Sequence, residues 1–192
     1  MINNNLLSDL LVSEINFNAK KATVPKNAQI ISVGDKLDFI PFILSGRVRV
    51  YIEEHDTLKE VLLYYVENGE TCLMSIISSF GNKISRVSAI TETDCEVLMV
   101  PNEKIRAWQI KYPEWNNLIL NLFVTRYDDL IQTIAEMSFK NIEERLKAYL
   151  KKHNQDDKKS IGKTHLQISK DLGTSREVIT RTLKKLEFNN SF

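Results

Sequence analysis

Arg176, Glu177, Thr180, Arg181 and Lys184 crowd into nine positions near the end of a 192-residue chain. A guanidinium is a planar fork that donates to guanine O6 and N7 together, and a carboxylate accepts from the cytosine N4 amine. At 100° per residue the five side chains fall on one face of an α-helix. Val178, Ile179, Leu183 and Leu186 fall on the other and would be buried. Ahead of them, Thr164 and Gln167 have capping-box spacing, and Leu166, Ile168 and Leu172 supply apolar positions for a first short helix. Gly173 stops that helix, and Thr174 with Glu177 offers a second capping box. The stretch 163–187 therefore reads as two short helices joined by a tight turn, the second presenting a polar, basic outer face. Such a helix fits the major groove of DNA; an ordinary helical hairpin with a solvated face is the competing reading.

Charge is distributed unevenly. Residues 139–192 carry 13 Lys and Arg against 7 Asp and Glu, a net +6, whereas residues 1–138 carry 13 against 18, a net −5. A basic tail on an acidic body is the electrostatic footprint of a nucleic-acid-binding module. Lys140, Arg145, Lys147, Lys151, Lys152, Lys158, Lys159 and Lys163 precede the motif and could meet phosphates or simply solvate a helix face.

The segment Gly173-Thr174-Ser175-Arg176-Glu177-Val178-Ile179-Thr180-Arg181 resembles the recognition segment of the bacterial Crp/Fnr transcription regulators. The resemblance implies that Arg176, Glu177 and Arg181 read base edges and that Thr164 and Ser175 contact phosphate; helical spacing puts Thr180 and Lys184 on the same outer face, and His165 borders it as a further candidate DNA contact. His165 and Leu166 depart from the cAMP-responsive members, which carry a basic and a polar residue there. In the family a two-stranded wing follows the recognition helix. Here only Phe188-Asn189-Asn190-Ser191-Phe192 remain, so the wing is expected to be largely missing and DNA affinity correspondingly weaker.

Upstream, the pattern changes twice. Residues 5–15 read as a short helix with Leu6, Leu7, Leu10, Leu11 and Ile15 on one side. From Phe17 to Pro101, short apolar or alternating runs are separated by turns: Ile30-Ile31, Phe39 to Leu44, Arg47 to Ile52, Val61 to Val66, Val87 to Ile90 and Glu96 to Val100. Short, evenly spaced strands suggest a sandwich or barrel-like fold. Gly34, Ser45-Gly46, Asn68-Gly69-Glu70 and the run to Pro101 make this half similar to a cyclic-nucleotide-binding β-roll. No Gly or Pro occurs from Glu114 to Ile161, which permits long helices. Leu120, Phe123, Tyr127, Leu130, Ile134 and Met137 step by three and four, an a/d seam about 26 Å long at 1.5 Å per residue. The seam could pack on its own domain. The resemblance implies instead that it pairs two protomers, setting two recognition helices on a near-palindromic duplex. Phe139 to Lys152 is expected as the next helix, with Phe139, Ile142, Leu146, Tyr149 and Leu150 inward, then a polar loop from Asn154 to Gly162.

The expected architecture is thus α+β: a double-stranded, jelly-roll-like β-roll sensor domain (1–110), a long dimerisation helix (111–138) and a helix-turn-helix domain (139–192). The sensor departs from nucleotide binders. Family members use Gly-Glu at a short helix start for the ribose, and Arg with a small hydroxyl residue about ten positions on for the phosphate. Leu73-Met74 replace the Gly-Glu pair, and the Arg position falls near Ser85-Arg86. Lacking that charge-assisted contact, the pocket formed by Cys72, Leu73, Met74, Ser75, Ser85 and Arg86 is not expected to take cAMP. Another small effector, a Cys72-based sensor and an unliganded structural shell all stay open, and no cofactor is assigned.

Two cysteines, Cys72 and Cys95, do not make a disulfide framework, and the three scattered histidines show no metal-ligand spacing with them. No nucleophile–base set or phosphate loop argues for an enzyme. The N-terminus lacks a signal-peptide pattern and no run approaches a membrane span, so a cytoplasmic protein is expected. The expected function is a homodimeric, sequence-specific transcription regulator acting on double-stranded DNA, with RNA polymerase as a candidate further partner. The alternative is a sensor or interaction module that does not bind DNA because the wing is absent.

Overall fold

A computed structural model describes residues 7–54, 56, 59–81, 84–156 and 163–188. Elements follow in the order α1 (Asp9–Asn18), β1 (Lys20–Val24), β2 (Gln29–Ile31), β3 (Phe39–Ser45), β4 (Val48–Glu53), β5 (Glu60–Val66), α2 (Leu73–Ser79), β6 (Ser88–Thr91), β7 (Cys95–Pro101), α3 (Asn102–Lys111), α4 (Pro113–Phe139), α5 (Ile142–Asp156), α6 (His165–Asp171) and α7 (Arg176–Phe188). The chain divides into two compact units, 1–51 with 64–129 and 52–63 with 130–192.

The strands form two sheets, ordered β1-β7-β3 and β2-β6-β4-β5. Strand β7 pairs antiparallel with both neighbours, setting Lys20 opposite Met99 and Phe42 opposite Leu98. Pro41 is tolerated inside β3 because that strand is an edge. Gly46 turns β3 into β4 at φ +95°, and a Cβ there would collide with the Asp94 carbonyl and the Cys95 sulfur. Strand β4 buries Val48 to Tyr51 continuously, including Arg49, whose guanidinium stacks 4.5 Å from the Tyr51 ring centroid. Strand β1 is not foreshadowed by the apolar pattern: Lys20 and Lys21 face solvent.

Two tryptophans centre the first core. Trp108 and Trp115 meet edge to face at 5.4 Å, with Leu11, Ile15, Ile40, Phe42, Ile76, Val100 and Ile105 around them. The first helix starts at Asp9, capped by the Ser8 hydroxyl. Leu7, Leu11 and Ile15 are buried as expected, whereas Leu10 faces solvent because the buried face repeats every four residues and 10 falls off it. Leu6 lies outside the described residues.

Helix α4 runs 27 unbroken residues, with Pro113 at the first helical position where its missing N–H costs nothing. The chain breaks at Lys140-Asn141, and α5 begins with a reciprocal pair: the Asn141 side chain accepts from the Glu144 amide while Glu144 accepts from the Asn141 amide, each at 3.0 Å. Phe139 therefore belongs to α4 and is 85% exposed, contrary to its expected inward place on the next helix. Helix α5 also extends to Asp156, so the loop expected from Asn154 begins later; residues 157–162 lie outside the described set. The second core comprises Leu146, Tyr149, Ile168, Leu172, Ile179 and Leu186, with Ile142, Leu150 and Leu183 packed against it.

Candidate nucleic-acid interface and sensor site

Helix α6 starts as the sequence demands. The Gln167 amide donates to the Thr164 hydroxyl (3.2 Å), and the Thr164 amide donates to the Gln167 side chain (2.8 Å), a complete capping box. At its end Gly173 adopts φ +63°, and the Thr174 amide donates to the Ser169 carbonyl, closing the αL turn. The second cap is displaced by one residue from expectation. Ser175, not Thr174, caps α7, accepting from the Val178 amide at 3.3 Å, because the helix starts one residue later, at Arg176. The Glu177 carboxyl is held below the usual carboxylate range by its own backbone amide and the Ser175 hydroxyl.

Arg176, Glu177, Arg181 and Lys184 are all exposed along α7, as are Thr164, His165 and Ser175. Thr180 is half-buried. Its hydroxyl donates to the Arg176 carbonyl at 2.9 Å and lies 2.9 Å from His165 Nδ1, which must then be the donor nitrogen. This contact ties the start of α6 to the outer side of α7. Leu166, expected inside, is half exposed because Ile168 and Leu172 define the buried side of so short a helix. Beneath the surface, the Tyr149 hydroxyl donates to buried Asp171 at 2.6 Å, and Lys163 reaches the same carboxylate at 3.0 Å. Arg145 donates to the Leu172 carbonyl at 2.7 Å. Lys140, just past the end of α4, pairs with Glu136, and Lys147 pairs with Glu143 one turn before it on α5. Several of the basic residues preceding the motif thus position the hairpin. Lys158, Lys159 and residues 189–192, on which the expectation of a shortened wing falls, lie outside the described set.

Leu120, Phe123, Tyr127, Leu130, Ile134 and Met137 are between 40% and 64% exposed, with Val124 and Ile131 alongside them. They form a largely exposed apolar stripe on α4.

In the sensor half, Cys72 occupies the N-cap position of α2 and is buried; its sulfur lies 3.9 Å from the Tyr64 hydroxyl. Burial pushes the Tyr64 phenol well above its usual range. Leu73 and Met74 are half-buried on the first turn, and Ser75 is fully buried with no hydrogen-bond partner for its hydroxyl among the described residues. Ser85 is buried too, but its hydroxyl donates to the Val87 carbonyl at 2.7 Å and accepts from the Val87 amide, so it is spent within its own turn. Arg86 is exposed. Sequence reasoning missed Arg126, which is buried in this half, as Arg49 is. Its guanidinium lies 4.3 Å from the Tyr64 ring centroid and donates to Asp129 (2.9 Å) and Glu70 (3.2 Å). A lone arginine between two exposed stripe positions was the available signal. Among the described residues no cluster of His, Cys, Asp and Glu could hold a metal ion, and no helix is long and apolar enough to cross a membrane.

Residues 21–111 match the family of cyclic nucleotide-binding domains. Across 167 residues the chain is 24% identical to the cAMP-activated global transcriptional regulator Vfr of Pseudomonas aeruginosa, covering 82% of this chain and 78% of that one. A protein assigned to the Crp/Fnr transcriptional regulators, from Eubacterium rectale, superposes with a TM-score of 0.82 at 24% identity, covering 96% of this chain and 86% of that one. The c-di-GMP-responsive global regulator CLP of Xanthomonas campestris gives 0.80 at 20%, covering 95% and 93%. CooA of Carboxydothermus hydrogenoformans gives 0.73 at 20%, covering 96% and 85%. Residues 21–111 are thus similar to cyclic nucleotide-binding domains, and the fold of the chain, β-roll, long helix and helix-turn-helix, is the one seen in solved Crp/Fnr regulators.

Proposed function

We propose that this protein is a homodimeric, sequence-specific DNA-binding transcription regulator. The carrying observation is that Arg176, Glu177 and Arg181 stand exposed together on the outer face of a helix capped and turned as a recognition helix. A guanidinium left in solvent while its helix buries Ile179, Thr182 and Leu186 is available to a base edge. Thr164 and Ser175 caps, His165 and Lys184 border that surface, where phosphates of a groove would pass. The exposed apolar stripe from Leu120 to Met137 supports pairing of two chains, which would present two such helices to half-sites about one DNA turn apart.

The effector in this reading is not cAMP. Leu73 and Met74 put no charge on the first turn of α2, Ser85 is spent locally and Arg86 is exposed, which among the described residues argues against a site for a ribose and a cyclic phosphate there. A thermal-shift series with cAMP and cGMP should leave the melting temperature unchanged; a saturable increase with cAMP would overturn this part. DNA binding is tested by gel shift on genomic fragments over a salt series. Retarded complexes whose affinity falls steeply with salt support the reading, and no complex at low salt refutes it.

A further inference from the structure

Residues 52–63, the end of β4 and the start of β5, form one compact unit with residues 130–192. Val61 makes an isolated antiparallel bridge with Leu172, the residue before the helix-turn-helix turn. The next residue, Gly173, lies so close that a Cβ on it would stand 2.9 Å from Val61 Cγ2 and 3.5 Å from the Glu60 carbonyl. Glu60, 6% exposed, takes an ion pair from Lys170 of α6. The Leu172 carbonyl is held by Arg145 from α5, so the turn is fixed by α5 as well as by β5.

Two short stretches of chain give this arrangement its meaning. Arg176, the first residue of the proposed reading helix, stands three positions after Gly173. Tyr64, whose hydroxyl faces Cys72 and whose ring underlies Arg126, stands three positions after Val61. We propose that Glu60 and Lys170 are positioning residues for the recognition helix: their ion pair seats the turn on β5 and so fixes the angle at which α7 leaves it. The inference rests on the DNA-binding reading for its consequence, but not for its geometry. With the turn seated on β5, Arg176 and Arg181 of the reading face remain exposed.

The test uses the full chain and a duplex that it selects from a random library, read by fluorescence anisotropy. Glu60→Lys makes the protein two charges more positive. If Glu60 is a bystander, phosphate attraction leaves binding unchanged or tightens it. If it positions the helix, the introduced ammonium repels Lys170 and binding weakens at least tenfold. The swap Glu60→Lys/Lys170→Glu restores affinity to within threefold. Lys170→Gln, at a partly exposed site that does not threaten the fold, should weaken binding with the salt slope unchanged; a slope lowered by about one would make Lys170 a phosphate contact and overturn the proposal. Hydrogen exchange over Lys59–Leu63 gives a readout without DNA: Lys170→Gln should speed it. A wild-type chain that binds no duplex defeats the DNA-binding reading, whereas unchanged exchange in Lys170→Gln defeats the seating itself.

Discussion

Replacing Ile134 by Ala tests whether the α4 stripe is a dimer interface. Ile134 is 59% exposed in the single chain. Burying a whole isoleucine side chain is worth about 1.5–3 kcal/mol, so covering its exposed part contributes roughly 1–2 kcal/mol per protomer. A two-fold interface carries the change twice, giving about 2–4 kcal/mol and a dimer dissociation constant raised roughly 30- to 700-fold. The same substitution should leave the folded protomer intact. It removes solvent-facing atoms, and alanine favours the helix slightly more than isoleucine. Sedimentation equilibrium of wild type and variant, with circular dichroism as the fold control, reads both quantities. An unshifted association constant, or a wild-type chain that stays monomeric throughout, would refute the reasoning. A variant that loses helix content would show that the stripe packs on its own chain.

Three further outcomes follow from the helix-turn-helix. Gly173→Ala places a side chain at φ +63° against Val61 and should lower stability by about 1–3 kcal/mol in urea unfolding. Thr164→Ala removes the hydroxyl half of the α6 capping box and should cost about 1 kcal/mol in the same assay. Glu177 should titrate below ordinary glutamates in an NMR pH series, because its own amide and Ser175 stabilise the carboxylate. Its contribution is then present above the unfolded-state value and lost as pH falls through the lower folded value. Ser175→Ala should move that midpoint up toward the ordinary range, and an unmoved midpoint would contradict the cap.

The elements most legible in the sequence were those specified locally. Capping-box spacing, Gly173 and the period of α7 are written in adjacent residues, and the seam steps visibly along α4. What escaped was set by neighbours far along the chain. Strand β1 is recognisable only from its pairing with β7, since Lys20 and Lys21 give it no apolar alternation. Thr174 and Ser175 both suit an N-cap, and Ser175 takes the place because α7 starts at Arg176. Phe139 has the spacing of a buried face on the next helix, but α4 continues through it and leaves it exposed. Of the sensor residues, Ser85 and Arg86 were adjacent in sequence, yet one points into its own turn and the other is exposed. Arg126 with Glu70, and Glu60 with Lys170, join residues 56 and 110 positions apart, a separation no local pattern reveals.

The central claim is tested most directly by base preference. Wild type and Arg181→Ala are each presented with a randomised duplex pool, and the bound sequences are read. The account predicts a two-fold-related motif for wild type, and for the variant a loss of preference confined to one base pair per half-site, worth about 1–3 kcal/mol. An unchanged motif in the variant, or an equal loss of affinity on every sequence, would contradict it.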